Sequence, residues 1–138
     1  MYHDPCHSPM KTYQPLTVVN ELMGVAVARN ERCCGESGTL AMTRPDISTQ
    51  VRFRKEEEMR KGAAALRAAD SEGREFAGDV KILTSCPSCL QGLSRFNDDA
   101  GTQADYIVVE LARRILGPKW LEDYVARANS GGIERVLV

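Results

Sequence analysis

The five cysteines of this chain form one ordered pattern, and no other feature constrains its fold and chemistry as strongly. Cys6 comes first, the adjacent pair Cys33 and Cys34 follows, and Cys86 and Cys89 close the series in the sequence Cys-Pro-Ser-Cys. Thiolates are soft ligands that suit zinc and iron–sulfur clusters. Crowded thiolates also repel one another, and a bound cation relieves that repulsion. We therefore interpret the five thiols as one candidate metal site.

The composition is that of a soluble globular domain. The chain has 138 residues, of which 43% are hydrophobic and 27% charged, a size that supports a hydrophobic core without disulfides. A net charge of −1 gives no hint of nucleic acid or an anionic membrane as a partner, and no apolar run is long enough to span a membrane. The odd cysteine count and the lack of an export signal favour reduced thiols in the cytoplasm.

The two ends of the chain suggest a domain cut from something larger. The first candidate ligand, Cys6, leaves no room for a complete strand before it, and residues 133–138 are largely apolar to the last position. We therefore expect a single cysteine-rich domain, residues 1–138, that is a fragment of a larger multidomain chain.

The hydrophobic pattern alternates between strands and helices, which predicts an α/β domain with a mostly parallel sheet flanked by helices. Each cysteine loop follows a predicted strand, and loops at the carboxyl ends of parallel strands carry the chemistry of such folds. We therefore expect all five thiols at one edge of the sheet. The predicted strands are 2–3, 25–28 and 80–84. The predicted helices are 15–23 ending at Gly24, 46–69, one continuing from Cys89 through Phe96, 107–115 and 120–128, and a polar loop is predicted at 71–79.

The adjacent pair favours a cluster over a single ion. The side chains of Cys33 and Cys34 diverge from neighbouring Cα atoms, so the pair does not easily chelate one tetrahedral ion but can bind two irons of one cluster. Gly35 and Gly38 lack a Cβ, so their loop can approach a cofactor and offer N–H groups to it, and we predict both as cofactor-binding residues. Cys86 precedes a predicted helix, whose dipole favours a thiolate.

Several neighbouring residues have more ordinary interpretations. His3 and His7 flank Cys6 and could be ligands or proton donors, although we favour loop histidines hydrogen-bonded to Asp4 or to the backbone. The charged run 55–58 is predicted to be the solvated face of its helix. The apolar stripe of the last helix, which includes Trp120, is interpreted as core or docking surface.

Three alternatives to an iron–sulfur site stay open at this point. Four of the five thiols could hold a structural zinc ion in an interaction module. Cys86 and Cys89 could form a thioredoxin-like thiol–disulfide pair, which leaves Cys6 and the Cys33–Cys34 pair unexplained. The cysteines could also be isolated small hydrophobes, an interpretation that their clustering disfavours.

With these motifs, the chain resembles the cysteine-rich CCG domain family, which includes the B-type subunit of heterodisulfide reductase, the iron–sulfur subunit of glycolate oxidase and lactate-utilisation iron–sulfur oxidoreductases. The resemblance rests on residues 2–7 (Tyr-His-Asp-Pro-Cys-His), 33–38 (Cys-Cys-Gly-Glu-Ser-Gly) and 86–89, and it covers nearly the whole chain. The chain departs from the family in its spacing, because 51 residues separate Cys34 from Cys86. We place the surplus in 63–78, away from the candidate ligands.

The resemblance implies a redox role. It implies an electron-transfer domain of a flavin-dependent 2-hydroxyacid dehydrogenase, an oxidoreductase with FAD on another domain or subunit. Partners would be flavin-binding and ferredoxin-type domains or subunits, with a second CCG domain as a further candidate. No catalytic residue is assigned, and the isolated domain should turn nothing over. The implied cofactor is a non-cubane [4Fe–4S] cluster, with zinc as an alternative occupant, ligated by Cys6, Cys33, Cys34, Cys86 and Cys89.

Overall fold

The fold of the N-terminal part of the chain is built on short parallel strands. The structure is a computed structural model and describes residues 1–10, 12–36, 38–69 and 79–131. The chain divides into two compact units, Met1–Ile107 and Val108–Val138. The polar loop predicted at 71–79 lies outside the described residues except for Asp79.

The sheet of the first unit is parallel, as predicted. Strands β1 (Val80–Thr84) and β2 (Thr102–Tyr106) pair from Val80 opposite Thr102 to Thr84 opposite Tyr106. Tyr2 extends this pairing through two single parallel bridges, one to Leu83 of β1 and one to Arg29. The backbone order across the sheet is therefore Arg29, Tyr2, β1 and β2, all in the same direction, and the predicted α/β class is confirmed.

The strand predicted at 25–28 is wrong. Val25 is 61% exposed, and only Arg29 forms a bridge, to Tyr2. Two backbone hydrogen bonds make this contact, from Tyr2 N–H to the Ala28 carbonyl (2.8 Å) and from Asn30 N–H to the Tyr2 carbonyl (2.9 Å). The apolar run lies at the outer edge of the sheet and its residues are exposed or partly exposed, so its hydrophobicity did not indicate burial. The predicted strand 2–3 is likewise reduced to the bridges of Tyr2.

The helices follow the predicted positions closely. Helix α1 ends at Gly24, whose φ of 63° is the left-handed conformation that glycine adopts readily. Pro87 opens the helix after Cys86, where its missing N–H leaves no hydrogen bond unmade. The helices are α1 Pro15–Met23, α2 Leu40–Thr43, α3 Pro45–Ala69, α4 Pro87–Ser94, α5 Asn97–Ala100, α6 Ile107–Leu116 and α7 Trp120–Asn129.

The core of the first unit lies where α3, α4 and α5 pack against the sheet. Met59 and Ala63 of α3 are fully buried, as the helical spacing predicted, whereas Ile47 at the start of the same stripe is 40% exposed. Removing this apolar surface from water stabilises the fold by about 25 cal/mol per Å². The buried core cluster contains Met1, Met59, Ala63, Val80, Ile82, Leu93, Phe96 and Ala100.

The second unit contains the last helix, whose apolar stripe was interpreted from the sequence as core or docking surface. Helix α7 buries none of its residues, and Leu121, Tyr124 and Val125 are exposed, so the core interpretation is wrong here. A docking role stays a prediction. No helix among the described residues combines the length and the hydrophobicity needed to cross a membrane.

Candidate metal centre

The three cysteine loops converge at one edge of the sheet. Each loop follows a parallel segment: Cys6 follows the Tyr2 bridges, Cys33 follows the Arg29 bridge, and Cys86 follows β1. Within the edge, Cys6 contacts Cys33, and Cys89 contacts both Cys34 and Cys86. All five are free thiols. The sequence placed these loops together correctly, and the role of the five thiols as ligands stays a prediction.

The adjacent cysteines direct their sulfurs to different neighbours. Cys33 Sγ accepts a hydrogen bond from Gly35 N–H at 3.4 Å and contacts Cys6. Cys34 Sγ instead lies 3.5 Å from Cys89 Sγ. Cys34 and Cys89 are 1% and 5% exposed, whereas Cys6 is open to solvent. The site therefore has two sulfur groups, one buried and one at the surface.

The two buried thiols have pKa values shifted in opposite directions, downward for Cys34 and upward for Cys89. The hydrogen bond from Cys89 lowers the pKa of Cys34 to about 4, helped by hydrogen bonds from His3 and from the backbone N–H of Glu36. The same bond to Cys34, together with burial, raises the pKa of Cys89. Burial and the neighbouring Cys33 raise the pKa of Cys6. The lowered pKa favours the thiolate form of Cys34, which is the form that binds a metal.

Gly35 allows helix α3 to approach the cysteine pair. Its φ is 78°, and a Cβ there would lie 3.0 Å from Cγ of Arg52 and 3.3 Å from the Ser48 carbonyl oxygen. The buried Ser48 hydroxyl donates to the Gly35 carbonyl at 3.0 Å. The predicted small-residue loop is therefore held in a close backbone contact with α3, and its N–H remains directed at Cys33 Sγ.

Gly92 and Glu36 support the same loop from the other side, and the sequence interpretation missed both. A Cβ on Gly92 of α4 would lie 2.6 Å from Glu36 Cγ and 3.2 Å from the Cys34 carbonyl oxygen. The Glu36 carboxylate is 8% exposed and binds Arg52 at 2.6 Å and Arg95 at 3.4 Å. Gly92 could have been identified from the sequence because it lies one turn after Cys89 in α4, on the helix face that contacts the site.

Two cavities open onto the thiols. Gly38, with φ 59° and open space around its Cβ position, lines the smaller one. The larger one has a volume of about 440 Å³, and Cys33 lines it together with two arginines. The smaller cavity, about 110 Å³, is lined by Pro5, Cys6, His7, Gly38, Cys86, Ser88 and Cys89. The larger is lined by Arg32, Cys33, Val51, Arg54 and Glu57.

Lys55 corrects the prediction that residues 55–58 form a solvated face. Its side chain is 0% exposed, and Nζ lies 3.0 Å from His3 Nδ1 and 3.1 Å from Glu58 Oε2. Lys55 shares a helix face with the buried residues Met59 and Ala63, four and eight positions later. Its spacing therefore indicated burial, whereas its charge led to the prediction of an exposed side chain. Glu57, in contrast, lies on the solvated face as predicted and forms an exposed ion pair with Lys61 at 2.8 Å.

His3 lies in the site, whereas His7 is exposed and lines the smaller cavity. The ring of His3 is 1% exposed, and Nδ1 lies 3.3 Å from the Asn30 carbonyl oxygen. One ring nitrogen of His3 and the sulfurs of Cys34 and Cys89 all lie within 4.8 Å of one another, a spacing that could hold a metal ion. The expected backbone contact is present, and the same ring also lies beside two of the candidate ligands.

The parallel sheet with a cluster of thiols at its carboxyl edge defines a cysteine-rich α/β domain, and comparison with known families agrees. Residues 1–94 match the family described as the cysteine-rich domain (CCG), and the chain belongs to that family. Residues 94–138 match a second family, described as a domain of unknown function (DUF3400). The resemblance expected from the cysteine motifs is therefore confirmed for residues 1–94, and the expected single domain over residues 1–138 stays a prediction.

Among curated proteins, the chain is similar to the B-type subunit of the fumarate reductase (CoM/CoB) of Methanothermobacter marburgensis. The two are 29% identical over 98 residues, which cover 59% of this chain and 20% of the relative. The chain thus matches about a fifth of that protein's length. No solved structure matches the chain. Family membership and similarity to a component of a reductase support an iron–sulfur electron-transfer domain.

Proposed function

We propose that the chain is an electron-transfer domain that binds a [4Fe–4S] cluster through Cys6, Cys33, Cys34, Cys86 and Cys89. Such a cluster, when bound, accepts and releases single electrons. The divergence of the adjacent cysteines supports this assignment most directly, because Cys33 lies beside Cys6 while Cys34 lies beside Cys89.

The donor set fits a centre with several metal atoms. One tetrahedral zinc ion takes four ligands, and five thiols in two connected groups exceed that number. The lowered pKa of Cys34 favours the thiolate that a cluster needs, and Gly35 N–H donates to Cys33 Sγ. Hydrogen bonds of this kind stabilise negative charge on cluster sulfurs and tune the potential. In this proposal Gly35 orients the loop, and Gly38 keeps the cavity beside Cys86 open.

The finer assignment concerns the enzyme that the domain serves. The similarity to one component of a fumarate reductase supports a role with partner subunits. We assign the partner as a flavin-dependent 2-hydroxyacid dehydrogenase of the cytoplasm, with FAD and ferredoxin-type clusters on other domains or subunits. The cysteine-rich domain would then be one part of a longer electron path, with a second CCG domain as a candidate neighbour.

A structural zinc site is the second candidate, and one observation favours it. His3, Cys34 and Cys89 place one donor atom each within 4.8 Å of one another, and Cys86 contacts Cys89. These four would form a tetrahedral set without Cys6 or Cys33. The two candidates therefore differ in whether Cys6 and Cys33 are needed for metal binding.

Anaerobic purification followed by iron, sulfide and zinc analysis separates them. We expect about four irons per chain, broad visible absorption and bleaching with dithionite. Cys33→Ser should lower the iron content sharply, whereas Ser88→Ala, which alters the same cysteine edge without removing a thiol, should retain it. A colourless protein with one zinc per chain that is unaffected by Cys33→Ser would overturn the cluster assignment.

The substrate class has a separate test on the native complex. A 2-hydroxy acid such as lactate should bleach the visible absorption of the complex when the flavin-containing partner is present and not when that partner is removed. An intact centre that dithionite reduces but no 2-hydroxy acid reduces would reject the dehydrogenase assignment and leave the electron-transfer role in place.

A further inference from the structure

The larger cavity at the cysteine edge meets the proposed metal centre only at Cys33. Its volume of about 440 Å³ falls within the range of small-molecule sites in proteins. Val51, Arg54 and Glu57 form one wall, because residues three apart on helix α3 share a face. Arg32 and Cys33 form the other wall. Four of these five lining residues therefore have no part in the cluster assignment.

Hydrogen bonds to helix α3 fix the loop wall of this cavity. Arg32 Nη1 donates to the Arg54 carbonyl oxygen at 3.1 Å and to Glu57 Oε2 at 3.3 Å. The backbone N–H groups of Glu31 and Arg32 donate to the Glu58 carboxylate, at 2.9 Å and 3.0 Å. Both walls are therefore held by contacts of the protein itself, and the cavity is preformed, as small-molecule sites usually are.

The lining of the cavity carries more positive than negative charge. Glu57 already binds two cations, Arg32 at 3.3 Å and Lys61 at 2.8 Å. The Arg54 guanidinium, in contrast, has neither a hydrogen-bond nor an ion-pair partner within the described part of the chain. A guanidinium presents a planar pair of N–H donors that matches the two oxygens of a carboxylate. Arg54 is therefore available to bind a carboxylate that enters the cavity.

We propose that this cavity binds a small organic monocarboxylate, with its carboxylate on Arg54 and a short apolar body against Val51. Val51 is the aliphatic residue of the lining, so it contacts the uncharged part of the ligand. The site needs no metal and no reaction at Cys33, and it therefore goes beyond the proposed cluster. Because Arg54 is exposed and water screens its charge, we expect an affinity in the millimolar range.

A ligand in this cavity also affects electron transfer, a consequence that rests on the proposed function. A bound carboxylate adds negative charge next to Cys33, which is one of the proposed cluster ligands. Negative charge near a cluster disfavours the added electron and lowers the reduction potential. The organic acid therefore regulates how readily the domain accepts electrons.

Ligand-observed saturation-transfer NMR on the full chain tests the site without any redox activity. The probes are 3-methylbutanoate, a branched monocarboxylate, and its amide, which has nearly the same shape and no charge. We expect the acid to bind and the amide to bind about tenfold more weakly, because the amide forms no charge-assisted pair with Arg54. Equal binding of the acid and the amide would overturn the carboxylate assignment.

The variant Arg54→Met tests the location of the site. It removes the guanidinium but keeps the backbone carbonyl that accepts from Arg32, so the cavity walls should stay in place. Binding of 3-methylbutanoate should weaken about tenfold. Arg60→Met is the matched control, because Arg60 is an exposed arginine of the same helix that pairs with Glu56 and does not line the cavity. It should leave binding unchanged, and an equal loss in both variants, or in neither, would reject the site.

A hexaglutamate peptide distinguishes a free organic acid from an acidic surface of a partner protein. Binding of the peptide without binding of 3-methylbutanoate would replace the small-acid site with a docking surface and overturn the proposal.

Potentiometry of the iron-loaded chain measures the effect on electron transfer. Saturating 3-methylbutanoate should shift the midpoint potential to a more negative value in the original chain and not in Arg54→Met. An acid that binds and leaves the potential unchanged would reject the regulatory effect. If no iron binds, the cluster proposal fails, and the NMR titration still decides whether the carboxylate site exists.

Discussion

The Sγ atoms of Cys34 and Cys89 lie 3.5 Å apart, although 55 positions separate them in the chain. This contact joins the loop of the adjacent cysteines to the Cys-Pro-Ser-Cys loop beside the end of β1. It also divides the protons unequally, because the pKa of Cys34 falls to about 4 while that of Cys89 rises. The lowered pKa of Cys34 therefore favours a thiolate in the metal-free site.

Stability of the metal-free chain should depend on pH through this pair. Between about pH 4 and the ordinary thiol pKa of 9.0, the folded pair holds one proton and the unfolded pair two. The unfolded state thus binds more protons, and the free energy of unfolding rises with pH across this window. Above pH 9.0, the raised pKa of Cys89 keeps its proton on the folded chain while the unfolded chain loses it, so the free energy falls.

Urea unfolding at a series of pH values, with thiolate absorbance recorded in parallel, checks this expectation. Cys89→Ala removes the donor, so the acidic titration of Cys34 should move toward higher pH and the pH dependence should weaken. Cys6→Ala leaves the buried pair intact and should keep the acidic titration. If Cys89→Ala titrates at the same low pH as the original chain, the hydrogen bond is not the cause.

Local sequence signals were sufficient for the elements that are set by local chemistry. Gly24 ends α1, Pro45 opens α3, and Cys86-Pro87 marks the change from β1 to α4, each through a backbone preference that is readable in the sequence. The convergence of the cysteine loops was also predictable, because parallel strands bring their carboxyl ends together.

The features that sequence patterns missed depend on contacts with other parts of the fold. Strand β2 has the polar sequence Thr-Gln-Ala-Asp-Tyr and forms by pairing with β1, so no apolar alternation revealed it. The apolar run 25–28 is largely exposed and forms no strand, and only the following residue, Arg29, makes a bridge. Lys55 was assigned to solvent by its charge, yet Glu58 and His3 satisfy that charge inside the protein. Glu58 lies one turn away on the same helix, but the other partners come from distant segments, which a single-sequence pattern does not show.

Gly92→Ala should destabilise the chain and weaken metal binding. An alanine in the middle of a helix normally stabilises it by up to about 1 kcal/mol relative to glycine. Here the new Cβ would lie 2.6 Å from Glu36 Cγ, whose carboxylate is held by Arg52 and therefore cannot simply move away. We expect a net loss of about 1–3 kcal/mol in the free energy of unfolding.

Denaturant unfolding and metal content of the same samples measure both effects. The matched control is Gln91→Ala, one position earlier on α4 and exposed to solvent, which should change neither quantity. Stabilisation by Gly92→Ala would show that α4 does not approach the cysteine loop as closely as the structure indicates.

The ion pair between Glu36 and Arg52 should be energetically coupled. The Glu36 carboxylate is 8% exposed and the Arg52 side chain 23%, with 2.6 Å between the charged atoms. Removing one partner leaves a buried charge, so Glu36→Gln and Arg52→Met should each be more harmful alone than together. A double-mutant cycle should give a coupling of about 0.5–3 kcal/mol.

The exposed pair of Arg44 with Asp46 provides the reference cycle, because both side chains are more than half exposed. We expect no measurable coupling there, since water screens the two charges. Equal coupling energies in the two cycles would mean that burial of Glu36 does not strengthen its ion pair. The cysteine loop would then be held by backbone contacts alone.

Gly38→Ala separates the role of a cofactor contact from that of backbone conformation. Gly38 has φ 59° and open space around its Cβ position, and it lines the cavity with Cys6, Cys86 and Cys89. Gly117 also has a positive φ, 95°, with open space, but it stands outside the cysteine loops. Alanine at either position should lower the free energy of unfolding of the metal-free chain by about 1–2 kcal/mol, because both backbones are strained for a residue with a Cβ.

If a cluster occupies the cavity, only Gly38→Ala should also lower iron content and shift the visible absorption, since its Cβ would point toward the bound group's space. Iron analysis of the two variants after identical anaerobic loading decides the point, and equal iron content in both would remove Gly38 from the cofactor site.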